Sequence, residues 1–248
     1  MKSKYFMPAL AATMALILPS CLDSDDNNTL ATPTAIVTVC PAIDETFVMQ
    51  LDDATQLIPV NMKKSPFGNK EVRALVNYTE VEEGSRAYTT RNVEVNWLDS
   101  IRTKLPVIIT PSEDEEEDEN DTLGDDPIEI VNDWVTVAED GYLTLRIRTL
   151  WGDSNKKHII NLVSGNDPDN PFDLELRHNA DGDTYGNPGD ALIAFNLNHL
   201  SSEFKEVEHI TLRWKSFSGD KTTTFDIKMR DKQPVPAPTS LVKAARID

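Results

Sequence analysis

The residues best spaced for chemistry form one segment, Asn179-Ala180-Asp181-Gly182-Asp183-Thr184-Tyr185-Gly186-Asn187-Pro188-Gly189-Asp190. Oxygen-bearing side chains at Asn179, Asp181, Asp183, Asn187 and Asp190 fall at the first, third, fifth, ninth and twelfth places, the spacing with which a loop wraps a calcium ion. The match is weak. Thr184 stands where the turn glycine belongs, Asp190 replaces a bidentate glutamate, and the flanks read as strands, so a polar loop between strands is the competing reading. The histidines are scattered, with His158 and His178 on strand-like runs and His199 and His209 near strand ends, and no His-x-His or Glu-flanked pair suggests zinc. There is no Gly-x-Ser-x-Gly elbow, no cysteine near a histidine and no phosphate-cradling glycine loop. No catalytic residue and no cofactor is therefore expected, and the chain reads as a non-enzyme; two carboxylates meeting in space at glycosidase separation would alter that reading.

A second kind of chemistry sits at the start. Lys2 and Lys4 precede the apolar run Phe6 to Leu18, about half the length needed to cross the hydrocarbon core of a bilayer, and Leu18-Pro19-Ser20-Cys21 follows. The pattern predicts a lipoprotein signal peptide over residues 1–20 and an acylated Cys21 at the new N-terminus, held in the membrane by its acyl chains. An ordinary secretory signal with a coincidental cysteine is the alternative. Residues 21–34, opening with Leu22-Asp23-Ser24-Asp25-Asp26 after Cys21, read as an acidic tether. Such a cluster resembles a surface-export signal of lipoproteins in Gram-negative anaerobes, which implies an outer-membrane, surface-exposed location; a plain solvated linker is the other reading.

Positioning any site falls to β-strands. Over residues 35–105 five short runs, Ala35 to Cys40, Thr46 to Leu51, Gln56 to Val60, Val72 to Thr79 and Tyr88 to Trp97, predict an OB-like five-stranded barrel, with Leu51-Asp52-Asp53-Ala54-Thr55 as a hairpin turn. Over residues 127–232 seven runs with period-two alternation, clearest in Leu143, Leu145 and Ile147 and in Phe172, Leu174 and Leu176, predict an immunoglobulin-like seven-stranded β-sandwich. Glu139-Asp140-Gly141 and Ser218-Gly219-Asp220 are its natural hairpin turns, and Trp134, Trp151 and Trp214 read as core or rim packing. The fold class is thus all-β.

Charge separates the two halves. The net charge is −18, but residues 106–126 hold ten acidic and no basic side chains. That segment reads as a disordered acidic linker, too charged to bury, so each half is expected to fold by itself. Residues 233–248, rich in Pro and Ala, read as a flexible tail. Neither half offers the basic face that nucleic acid needs. With Cys21 acylated, Cys40 is the remaining thiol; no disulfide can form within the chain, and Cys40 reads as a buried small hydrophobe.

Phe47-Val48-Met49-Gln50-Leu51-Asp52-Asp53, Arg73 to Tyr78 and Asn92 to Asn96 resemble the N-terminal domain of NigD-like lipoproteins. Lys157 to Val163 and Leu174 to Thr184 resemble the C-terminal domain of that family. The resemblance implies an OB-like barrel followed by a β-sandwich, in a family named from a bacteriocin-associated locus, and implies no reaction or ligand. The expectation is a non-catalytic binding or interaction module, attached to the membrane through its lipid and holding a protein or glycan partner. A carbohydrate-active accessory component and a self-protection factor in a bacteriocin system are the alternatives.

Overall fold

Each alternating run becomes a strand in the computed structural model, which describes residues 33–42, 46–81, 89–109, 122–165, 167, 170–200 and 207–229. Cys21, the rest of the signal and most of the tether lie outside the described residues, as do residues 110–121 and the tail from 230 onward.

Strands β1 (Thr34–Pro41), β2 (Phe47–Gln50), β3 (Gln56–Pro59), β4 (Val72–Glu80) and β5 (Thr90–Ser100) close a barrel in the order β1-β2-β3-β5-β4. Val37, Val39, Met49, Leu57, Ala74, Val76 and Val93 fill it, each fully buried. Asp52 sets the β2–β3 turn: its Oδ1 accepts hydrogen bonds from the backbone N–H of Ala54 at 2.8 Å and of Thr55 at 2.6 Å. Cys40 is buried, and its thiol faces the Thr38 carbonyl.

The sandwich begins earlier than its alternation suggests. β6 (Arg102–Lys104) and β7 (Val107–Ile108) precede β8 (Glu129–Val131), β9 (Val137–Glu139), β10 (Tyr142–Trp151), β11 (Ile159–Ser164), β12 (Asp173–Asn179), β13 (Asn187–Asn196), β14 (His209–Ser216) and β15 (Gly219–Asp226). One sheet runs β6-β13-β10-β8, with β9 also on β10, and the other runs β15-β14-β12-β11-β7. The described sandwich therefore has two five-stranded sheets rather than seven strands in all. β6 and β7 add in parallel to β13 and β11, one to each sheet, with Pro106 where the chain crosses between them. Strands of three and two residues are too short for a period of two to register, which is why 102–104 read as the end of the barrel and 107–108 as linker. The far end of the expected linker is also structured: Leu123 is buried, the Gly124 carbonyl accepts from Arg177 Nε at 2.7 Å, and Asp126 Oδ2 accepts from the Ala180 N–H at 2.8 Å.

Leu143, Leu145 and Ile147 face the sheet-to-sheet core, where they meet Leu162, Leu174, Leu176, Phe195 and Leu212. The opposite face of β10 is covered by the barrel over Tyr142 and Thr144 but not over Arg146 and Arg148. The two domains belong to one compact unit. Ile36, Leu75 and Ile101 of the barrel side pack with Val135, Tyr142 and Ala194. At the centre of this contact lies Arg73, whose side chain is fully buried. Its guanidinium donates to Thr38 Oγ1 at 3.0 Å and Thr144 Oγ1 at 3.3 Å, pairs with Glu139, and sits 5.6 Å from the Tyr142 ring centroid. The Tyr142 hydroxyl in turn donates to Glu71 at 2.5 Å. Burial raises the Glu139 carboxyl above the usual carboxylate range, with Arg73 acting in the opposite direction.

Candidate functional site

The inward alternation of three strands changes character toward one end of the sandwich. On β10 the apolar series Leu143, Leu145, Ile147 continues as Thr149 and Trp151. On β12 the series Leu174, Leu176 continues as His178, and ahead of β11 the residue two before Ile160 is His158. Polar and aromatic groups thus occupy positions where the period calls for aliphatic ones.

Thr149, Trp151 and His158 line a cavity of about 540 Å³. Ile147, Ile160 and Ile193 give it apolar walls, and Trp151 and His158 close one side. The indole stacks on the imidazole with centroids 3.9 Å apart. Gly189, paired with Thr149 across the sheet, makes room for that indole: a Cβ there would lie 2.6 Å from Trp151 Cδ1. Four basic side chains also line the cavity, Arg102, Lys104, Lys156 and Lys157, and among the described residues no carboxylate lines it. Lys104 donates to the Ile160 carbonyl at 2.7 Å and to Asn161; burial lowers its pKa, assisted by the nearby charge of Arg102. Lys156 pairs with Asp181 at 3.1 Å, whereas Arg102 and Lys157 have no ion pair among the described residues. Thr149 is 1 % exposed, and its hydroxyl has no hydrogen-bond partner among the described residues.

Behind the cavity the two histidines that looked isolated in sequence are neighbours, because the β11–β12 register sets Ile160 opposite His178. His178 Nδ1 lies 3.1 Å from the Pro127 carbonyl, and its Nε2 lies 2.9 Å from His158 Nδ1. Burial depresses the His178 pKa, so the neutral ring places its proton on Nδ1 and accepts at Nε2. His158 Nε2 faces Asp183 Oδ2 at 3.3 Å.

The calcium-spaced side chains do not converge. Asp183, 2 % exposed, accepts from the backbone N–H of Gly152 at 3.0 Å and of Asp153 at 3.1 Å as well as facing His158. These bonds, that from Asp153 foremost, hold its pKa below the usual aspartate value. Asp190 points to the outer face, where Arg146 and Arg148 grip it, and its carboxyl is lowered to about 2 by Arg148 first and Arg146 next. Asn179 bonds the Asp181 N–H in a tight turn with Asp181 in the left-handed region, and Asn187 opens β13. Among the described residues no three His, Cys, Asp or Glu side chains are grouped to hold a metal. Trp134 and Trp151 are exposed at 60 % and 40 %, while Trp214 is buried.

The fold defines a class of all-β two-domain proteins, an OB-type barrel fused to a sandwich. Residues 36–101 match the NigD-like N-terminal OB domain and residues 110–227 the NigD-like C-terminal beta sandwich domain, and the chain belongs to the NigD-like family. A crystal structure from Parabacteroides distasonis, described as toxin-related, is 28 % identical with a TM-score of 0.63, over 80 % of this chain and 94 % of that one. A NigD-like immunity protein from Bacteroides caccae shares the fold at 20 % identity and a TM-score of 0.53, over 78 % and 92 % of the two chains. A Bacteroides fragilis protein described as a lipoprotein does so at 15 % identity and a TM-score of 0.55, over 82 % and 100 %. No curated protein sequence matches the chain.

Proposed function

We propose that this NigD-like chain is a non-catalytic lipoprotein of the outer membrane that displays a ligand-binding sandwich at the cell surface. The observation that carries the reading is the cavity of about 540 Å³, within the size range of small-molecule sites and walled by residues of both sheets. Its lining offers no nucleophile–base pair and no paired carboxylates, so retention is the chemistry it supports. Anchoring is read from Cys21 behind its apolar leader, and a surface location from Asp23, Asp25 and Asp26. The likeness to a Bacteroides fragilis protein described as a lipoprotein supports the anchor.

A second reading, self-protection in a bacteriocin system, is favoured by the descriptions of two structural relatives as toxin-related and as an immunity protein. The two readings separate by genetics: loss of the gene sensitises cells to a co-transcribed toxin under the second and leaves sensitivity unchanged under the first. Anchoring is tested with Cys21→Ala, which is expected to abolish palmitate incorporation and release the protein from membranes; retained label would overturn the lipoprotein assignment.

A further inference from the structure

Three observations at the Trp151 end of the sandwich point to one ligand chemistry. The first is polarity of charge. In a chain of net charge −18, the cavity lining draws together Arg102, Lys104, Lys156 and Lys157 and, among the described residues, no carboxylate. A second cavity shows that this is a local choice, since its lining includes Asp52, Asp53, Glu139, Asp140, Glu208 and Asp226.

The second is Thr149. A buried hydroxyl without a partner costs free energy in the empty protein, and an aliphatic residue at this core position would avoid the cost. Thr149 is among the residues lining the cavity, and its hydroxyl, covered in the empty protein, can recover the bond from a ligand oxygen by turning about χ1. The third is the wall: Ile147, Ile160, Ile193 and the Trp151 indole give an apolar body somewhere to lie once its charged end is held.

We propose that this cavity binds a small amphipathic organic anion, a carboxylate or sulfonate head on an apolar body. Arg102 and Lys157 meet the head at the rim, the Thr149 hydroxyl turns about χ1 to donate to it or to a polar group behind it, and the isoleucines with Trp151 take the body. Arg102 suits the planar head because its guanidinium presents paired donors. The assignment rests on the binding reading above and adds the class of ligand.

The test uses the chain from residue 21 onward carrying Cys21→Ala, so that no detergent competes. Anilinonaphthalene sulfonate is titrated by fluorescence, then displaced by decanoate, decanol or decyltrimethylammonium, three probes of similar body and different head. Saturable binding that decanoate reverses best is the expected result. Arg102→Glu with Lys157→Glu, both at the rim, is expected to weaken decanoate by about tenfold or more while leaving the near-ultraviolet circular dichroism unchanged. Thr149→Val is expected to weaken decanoate and raise the melting temperature of the free protein, a pairing that a purely structural threonine would not give. Displacement by decanol or the ammonium as good as by decanoate would overturn the anion assignment and leave a binding cavity. No saturable binding of any probe would overturn both.

Discussion

Arg73 of the barrel and Glu139 of the sandwich form an ion pair in which the guanidinium is wholly buried and the carboxylate side chain 26 % exposed. The asymmetry matters, because the arginine cannot reach water when its partner is removed, whereas the glutamate can. The two domains, each expected to fold by itself, are thereby pinned through one strand position, Arg73, which lies between Val72 and Ala74 on the outer face of β4.

Glu139→Ala is accordingly expected to destabilise the protein by about 3 kcal/mol, through an uncompensated buried charge. Arg73→Met should cost less, and the double variant less than the sum of the two. Urea unfolding of the four proteins checks this; strict additivity would show that the pair is not coupled.

Acid should weaken the sandwich from the histidine side first. The buried His178 has a pKa below its ordinary 6.5, so folding favours the neutral ring. Stability from this group is full above the unfolded value and is lost as pH falls from about 6.5 through the folded value. Asp183, also depressed, works in the same direction below its ordinary 3.8. His178→Asn is expected to lower stability at neutral pH and to flatten the decline between about pH 7 and pH 5 in chemical denaturation.

Gly189→Val places a branched side chain where the Trp151 indole lies, since even a Cβ would sit 2.6 Å from it. Displacement of the ring from His158 is expected, with a red-shifted tryptophan emission and a loss of about 1–3 kcal/mol. An unchanged emission maximum would mean that the stack rearranges without opening.

A sandwich fragment beginning at residue 127 lacks β6 and β7 and exposes the edges of β13 and β11. Such a fragment should self-associate, while one beginning at Ile101 should remain monomeric. Deletion of 113–121 within the whole chain should cost little, because closure entropy varies only slowly with the length of a connection. Sedimentation and thermal unfolding distinguish these outcomes.

The barrel was legible because its strands carry their own period: Ala74, Val76 and Tyr78 alternate with Arg73, Leu75 and Asn77, and the predicted five strands are the five observed. The role of Arg73 was not legible, since a charged residue on an outer face reads as solvated until another domain covers it. The cavity was half visible. Thr149 and His178 extend apolar alternations, a signal present in the sequence, but the nearness of His158 to His178 depends on a strand register that no local pattern states. The calcium-like spacing failed to gather its oxygens for the same reason: Asp183 turns inward to the Gly152 and Asp153 amides, while Asp190 sits on the outer face of β13 with two arginines.

The chain that leaves the barrel as β5 enters the sandwich as β6 after a single residue, Ile101, which is buried and donates its N–H to the Arg73 carbonyl at 2.8 Å. Domain pairs that open and close do so about a few hinge residues free to change φ and ψ, on microsecond to millisecond timescales. Here the crossing residue is itself hydrogen-bonded and packed, so the link between the two domains offers no free hinge. The direction in which the cavity faces is therefore fixed relative to the first barrel strand.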